Sequence, residues 1–188
     1  MTLPPAAIGR IAALGLLAAL LQLTAASQVS VFGVPVDLSP LIVASVGFLC
    51  GSVPGAVLGF FFGLFIDTAL MQTLGVTSLV LLVAGYGAGR LRELRDPAHT
   101  LVPIAVGAAA TAVATIGFTL MQFLLGVDAP ASWMLVRQIL LVIVLNALLA
   151  LPVYAVCRRV IRPYLPDDPR RRRRRAYTTG GLSPLSRA

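Results

Sequence analysis

Glycines fall every fourth residue in the stretch Gly51-Ser52-Val53-Pro54-Gly55-Ala56-Val57-Leu58-Gly59-Phe60-Phe61-Phe62-Gly63-Leu64-Phe65-Ile66-Asp67, and an acid closes the series. In a helix, residues four apart stack on nearly one face with a drift of about 40° per step, so Gly55, Gly59, Gly63 and Asp67 line a slowly winding groove. In lipid, where no hydrophobic force drives one apolar helix onto another, small-xxx-small columns let backbones meet and pack by dispersion. The stretch therefore predicts a helix that other segments pack on. If it starts near Pro54, a residue suited to the first helical turn, Asp67 lies about 20 Å along the axis, inside a hydrocarbon core of about 30 Å. A carboxyl at that depth costs a few kcal/mol on insertion scales and faces a partner, a cavity or the bundle interior.

Composition sets the solvent. Of 188 residues, 58% are hydrophobic and only 12% charged, with a mean hydropathy of +0.92, which excludes an ordinary soluble domain. The apolar runs lack the alternation of a barrel strand, so the class is an all-α integral membrane protein. All 15 basic residues are arginine, most of them in three clusters that report orientation. Cys50 and Cys157 fall near ends placed on the cytoplasmic side, where thiols stay reduced, and no disulfide is expected between them. His99 is the only histidine, in a polar loop, leaving no Ser/His/Asp or Cys/His arrangement and no zinc set. No catalytic residue, cofactor or metal site is expected.

Along the chain, Ile11 to Ala26 is a first apolar segment, read as an uncleaved anchor or as the apolar part of a signal peptide with Ala25-Ala26-Ser27 as a weak cleavage site. Gln28 to Pro40 holds too many breakers for a helix interior and reads as an outer loop. Leu41 to Met71 would span about 46 Å as one helix; as two, each is short. Arginine position decides between them. A single crossing puts Arg90, Arg92 and Arg95 on the face opposite Arg10 and the tail, whereas a hairpin turning at Gly51 to Gly55 puts 14 of the 15 basic residues on one face, with only Arg137 outside. The hairpin is the prediction. Its first arm, Leu38 to Cys50, is short enough to require either a start within the preceding loop or local bilayer thinning. Further spans are expected over Ser78 to Gly89, Leu101 to Leu125 and Leu135 to Cys157, the last carrying Asn146 and Pro152, which need satisfying inside the bundle. The reading is thus a six-span domain over residues 1–165 with both termini cytoplasmic, and a disordered arginine-rich tail over 166–188.

The order Pro35-Val36-Asp37-Leu38-Ser39-Pro40-Leu41, then the glycine series with Asp67, then Leu74-Gly75 before an apolar span, resembles the family of the rod shape-determining protein MreD, most clearly from Val34 to Arg90. The resemblance implies a multi-pass, six-span component of the bacterial cytoplasmic membrane, a partner of MreC, working beside the actin-like MreB, the polymerase RodA and a class B penicillin-binding protein. The family's bundle is also similar to the substrate-binding subunits of energy-coupling-factor vitamin transporters. No active site belongs to the family, and its pattern does not include the extended arginine tail.

Individual residues carry competing readings. Gly55, Gly59, Gly63 and Asp67 are either internal packing positions or a partner groove; for Asp67 the choice lies between a carboxyl satisfied by neighbouring hydroxyls or backbone and a partner or proton site. In the outer-loop motif of Asp37 and Pro40, Asp37 caps the next helix or meets a partner. Arg170, Arg171, Arg172, Arg173, Arg174 and Arg175 read as a contact with anionic lipid, each arginine contributing about 1 kcal/mol near the surface. Nothing aromatic is interleaved for base stacking, so no nucleic acid is expected. Arg137 pairs with Asp128 or Asp67, or snorkels outward without a partner. A non-enzymatic scaffold of cell-wall elongation ranks first. A solute-binding subunit of a vitamin transporter ranks second, because Asp67, Gln72, Gln122 and Asn146 are sparse for a substrate cavity, and an intramembrane enzyme ranks last.

Overall fold

The computed structural model describes residues 5–25, 30–31, 34–35, 37–94, 102–126 and 133–161. Among these are helices α1 (Pro5–Ala25), α2 (Ser39–Cys50), α3 (Ser52–Ala69), α4 (Val76–Leu94), α5 (Val102–Leu124) and α6 (Trp133–Ile161). Between α1 and α2, strands β1 (Ser30–Val31) and β2 (Val34–Pro35) form a two-residue antiparallel ladder pairing Ser30 with Pro35 and Val31 with Val34. The segment expected to be plain loop therefore contains a minimal hairpin, built where valines stand between the breakers.

Helix α2 is the hub. Every other helix packs on it, and Ser39 to Leu49 are all buried. One side meets Ile11, Ala18 and Ala19 of α1, Leu58, Phe62 and Ile66 of α3, Leu81 of α4, and Cys157 and Ile161 of α6. Its Ala44 and Phe48 pack with Ala84 and Ala88 of α4 and Val106 and Ala110 of α5. This helix is short, 12 residues or about 18 Å, and it is surrounded by protein along almost all of its length.

A single residue separates α2 from α3. Gly51 adopts φ 110°, ψ 175°, a region essentially closed to residues with a Cβ. Its N–H still bonds to the Gly47 carbonyl at 2.8 Å and its own carbonyl accepts from Gly55 at 3.2 Å, so both helices are complete to the joint. The chain folds back there, bringing Gly55 against Gly47. Helix α3 begins at Ser52, two residues before Pro54, whose missing N–H falls among the first-turn donors that have no helical acceptor.

Three helices outrun the spans expected from the sequence, and the first of them, α1, already begins at Pro5 and not at Ile11, since proline suits a first helical position. Helix α4 continues past Gly89 through Arg90 and Arg92, because arginine is a good helix former and Arg92 donates to the Leu49 carbonyl at the end of α2. Helix α6 runs through Pro152 to Ile161. On α5, Thr111, Thr115 and Thr119 each donate to the carbonyl four residues back, which satisfies three hydroxyls without leaving the helix.

Outward surfaces are apolar, with Leu17, Phe61, Ile116 and Leu148 all exposed. Among the described residues, Ser52–Ala69, Val102–Leu124 and Val136–Ile161 are long and apolar enough to cross a membrane, while Ile8–Thr24 and Ser39–Cys50 are shorter apolar helices. The expected loop from 95 to 100, Asp128, Pro130, the Ala26-Ser27 part of the cleavage motif and the tail with Arg170 to Arg175 lie outside the described residues.

At Gly51 a Cβ would meet no atom within 4 Å, so Gly51→Ala tests backbone conformation alone. It is expected to destabilise the protein by about 1–3 kcal/mol, read as a lowered unfolding midpoint in detergent; an unchanged midpoint would show that the joint relaxes without cost.

Candidate functional site

The bare face of α3 is filled by α4. Reading α3 forward and α4 backward, a Cβ at Gly55 would lie 2.6 Å from the Gly85 carbonyl oxygen, one at Gly59 2.4 Å from that of Leu81, and one at Gly63 2.4 Å from Ser78 Cα. From the α4 side, a Cβ at Gly89 would lie 2.3 Å from Ser52 Cα and one at Gly85 2.3 Å from the Gly55 oxygen. Helix α2 joins through Gly47, whose Cβ would fall 2.4 Å from the same Gly85 oxygen. Three backbones meet at Gly47, Gly55 and Gly85. At Gly47, Gly55, Gly59 and Gly85 the position of the missing Cβ faces a carbonyl oxygen, the arrangement in which Cα–H···O contacts contribute about 0.5–1 kcal/mol apiece. A partner segment could not enter the groove of Gly55, Gly59 and Gly63 without displacing α4.

Asp67 ends this contact. Fully buried, it accepts the N–H of Gly75 on Oδ2 at 2.8 Å, and its main-chain carbonyl accepts from Gln72 at 3.0 Å. Gly75 precedes α4 with φ 97°, and its carbonyl accepts the N–H of Leu79 at 2.9 Å, so an acid near the end of α3 caps the start of α4. The positive end of the α4 dipole favours a carboxylate there. The other carboxylate oxygen, Oδ1, and the Ser78 hydroxyl are buried and have no hydrogen-bond partner among the described residues.

A second polar cluster ties distant segments together at the start of α2. Asp37 Oδ1 accepts from the Ser39 N–H at 2.9 Å and from Gln22 Nε2 at 3.1 Å, while Gln22 Oε1 accepts the Leu38 N–H at 3.1 Å. Buried Asn146 of α6 donates through Nδ2 to the Asp37 carbonyl at 2.8 Å and to Thr111 Oγ1 of α5 at 3.3 Å. Helices α1, α5 and α6 are thereby pinned to the residues leading into α2. Asp37 and Asp67 are not brought together; each holds its own helix start. Pro40 is buried in the first turn of α2.

The sequence reading passed over Gln22, Thr111 and Arg92 as partners. Gln22 had a signal, as an amide in an otherwise apolar segment. Thr111 did not stand out from the small residues around it. In the sequence Arg92 shows only as a charge. Arg137 is exposed near the start of α6, whereas Asp67 is fully buried and takes the Gly75 N–H on one of its two oxygens. Among the described residues, no three of His, Cys, Asp and Glu come together as metal donors.

These features define a tightly packed helical bundle of membrane type whose marked residues hold helices to one another. The family profile described as rod shape-determining protein MreD matches residues 10–160, and the chain belongs to the MreD family. That membership gives it a role in determining rod shape. No curated protein and no solved structure matches the chain significantly.

The packing makes a paired comparison on one helix. Gly85→Ala must push main chains apart and is expected to cost about 1–3 kcal/mol, whereas Gly87, with nothing within 4 Å of its Cβ position, should gain up to about 1 kcal/mol from alanine's helix propensity. Membrane abundance and unfolding midpoint read both. By the same reasoning Gly59→Leu and Gly63→Leu should lower abundance. Asp67→Asn keeps an acceptor for Gly75 and should be tolerated better than Asp67→Leu, which leaves that N–H unpaired at about 1–3 kcal/mol. Equal behaviour of the Gly85 and Gly87 variants would refute the helix contact.

Proposed function

We propose that the chain is a non-enzymatic membrane scaffold of the cell-elongation complex, one that holds an MreC-like single-span partner beside MreB, RodA and a class B penicillin-binding protein during peptidoglycan synthesis. Membership of the rod shape-determining family over residues 10–160 carries the reading. The bundle supports it in a second way: buried polar groups are spent on helix starts and helix crossings, which suits a rigid platform. Since α4 covers the glycine face, the partner's segment docks on an outward apolar surface.

In the same proposal all six helices cross the cytoplasmic membrane, with the end bearing Arg10, Arg92 and Arg158 inside and Asp37 and Asp67 toward the outside. The positive-inside rule supports this orientation, as does the antiparallel return of the chain at Gly51.

Two measurements test the reading. Depletion should round the cells and disperse elongation sites while vitamin uptake continues, and an MreC-like protein should copurify after crosslinking in native membranes; normal morphology with failed uptake would favour a transporter subunit instead. For orientation, a cysteine at position 95 should resist a membrane-impermeant reagent in intact cells and react after lysis, and labelling in intact cells would overturn the six-span arrangement.

A further inference from the structure

The turn joining α3 to α4 is apolar at its tip. Leu70, Met71 and Leu74 are exposed, Met71 at 94%, and from Thr68 to Gly89 the chain carries no charged residue. Phe65 on α3 and Leu79 on α4 are exposed as well, so the tip continues the outward apolar surface of the helix pair. Met71 has φ 51°, a left-handed conformation that glycine or asparagine adopts at less cost. The turn therefore holds an apolar side chain outward against the preference of its own backbone.

The turn is also closed on itself. The N–H groups of Leu70, Met71, Gln72 and Val76 donate to the carbonyls of Ile66, Thr68, Asp67 and Thr73 at 2.9, 3.3, 3.0 and 3.4 Å. The Gly75 N–H goes to Asp67 Oδ2 at 2.8 Å, and the Thr68 hydroxyl donates to the Leu64 carbonyl at 2.7 Å. Such closure is optional in water, which pairs with turn groups itself, and necessary in lipid, where each unpaired main-chain group costs several kcal/mol. Asp67 contributes twice, through its carboxylate and its carbonyl, and being fully buried it brings no charge to the surface of the turn.

Depth points the same way. Gly89 lies against Ser52 and Gly85 against Gly55, so α3 and α4 are level where Arg90 ends the apolar run. Between Arg90 and Gly75 the chain rises about 22 Å, short of the about 30 Å of a hydrocarbon core. With Arg90 at one boundary, the turn reaches the acyl region of the opposite leaflet without clearing it, and the exposed Gln72 and Thr73 meet the headgroups.

We propose that the α3–α4 turn is seated in lipid, with Leu70, Met71 and Leu74 in the boundary between acyl chains and headgroups of one leaflet, and that Asp67 closes the turn so that it can stay there. The occupant of this surface is the bilayer itself. The seat requires that the chain lie in a membrane, whatever its partners.

The test places the full-length chain in vesicles of phosphatidylethanolamine and phosphatidylglycerol, where no partner protein is present, with reagents on both sides of the membrane. A spin label on Met71→Cys, with Cys50 and Cys157 replaced by alanine, should be relaxed more by oxygen, which concentrates in lipid, than by a water-soluble nickel chelate. Met71→Trp, with Trp133 replaced by phenylalanine, keeps the native cysteines and should be quenched more by lipid brominated on its acyl chains than by iodide. Adding Asp67→Leu to the Met71→Trp chain should move quenching toward iodide, because the Gly75 N–H then seeks water, whereas Asp67→Asn should not. Stronger relaxation by the nickel chelate, or stronger quenching by iodide, would show a turn standing in water and open to a protein partner, and would overturn the lipid seat. Unchanged quenching with Asp67→Leu would overturn the role of Asp67.

Discussion

The architecture depends on main chain meeting main chain. Along α3 and α4 the contact is made where side chains are missing, with Gly55, Gly59 and Gly63 set against the backbone of Gly85, Leu81 and Ser78. In a medium as apolar as the side chains themselves, association must come from dispersion, weak Cα–H···O contacts and a few strong polar anchors. Close approach increases the first two steeply, and Gly47 extends them to α2. Because α2 is wrapped by all the other helices, the placement of α1, α5 and α6 is referred to this three-backbone junction.

Polar groups complete what the glycines begin. Asp67 closes the α3–α4 contact by capping the next helix, and Asn146 bonds a main-chain carbonyl 109 residues earlier in the chain, so α6 is locked to the segment entering α2. Both anchors use main-chain groups at helix starts, where unsatisfied donors or acceptors would otherwise face an apolar surround. The arginine end answers with the opposite sign, at the C-termini of α2, α4 and α6. The side chains that bond at helix ends are therefore sorted along the axis, with Gln22, Asp37, Asp67 and Asn146 toward one end and Arg92 at the other.

Much of this arrangement can be read in the residues, and the omissions have physical causes. A four-residue glycine period shows which face of α3 is bare, and Gly51 beside Pro54 marks where a long apolar run must turn, but periodicity says nothing about what fills a face. Part of the occupant's signature is visible in Gly85 and Gly89; the rest is not, because at Leu81 and Ser78 it is the backbone that makes contact, whatever the side chain. Helix ends shifted where side-chain bonds extended them, as Arg92 does for α4, since counting charges locates a membrane face without revealing which carbonyl a guanidinium will meet. The network of Gln22, Asp37, Thr111 and Asn146 joins residues too far apart in sequence for any local pattern to pair them.

The glycine junction also has a genetic meaning. At Gly47, Gly55, Gly59, Gly63, Gly85 and Gly89, any side chain at all would begin with a carbon closer than 3.0 Å to another segment's backbone. Every missense change in a glycine codon supplies such a carbon, so at these positions only synonymous changes leave the protein as it is. Invariance at these glycines, wherever lineages are compared, would report the demands of the fold and carry no information about a partner. A search for the partner surface by mutation should begin on the other side of α3, where side chains are free to vary.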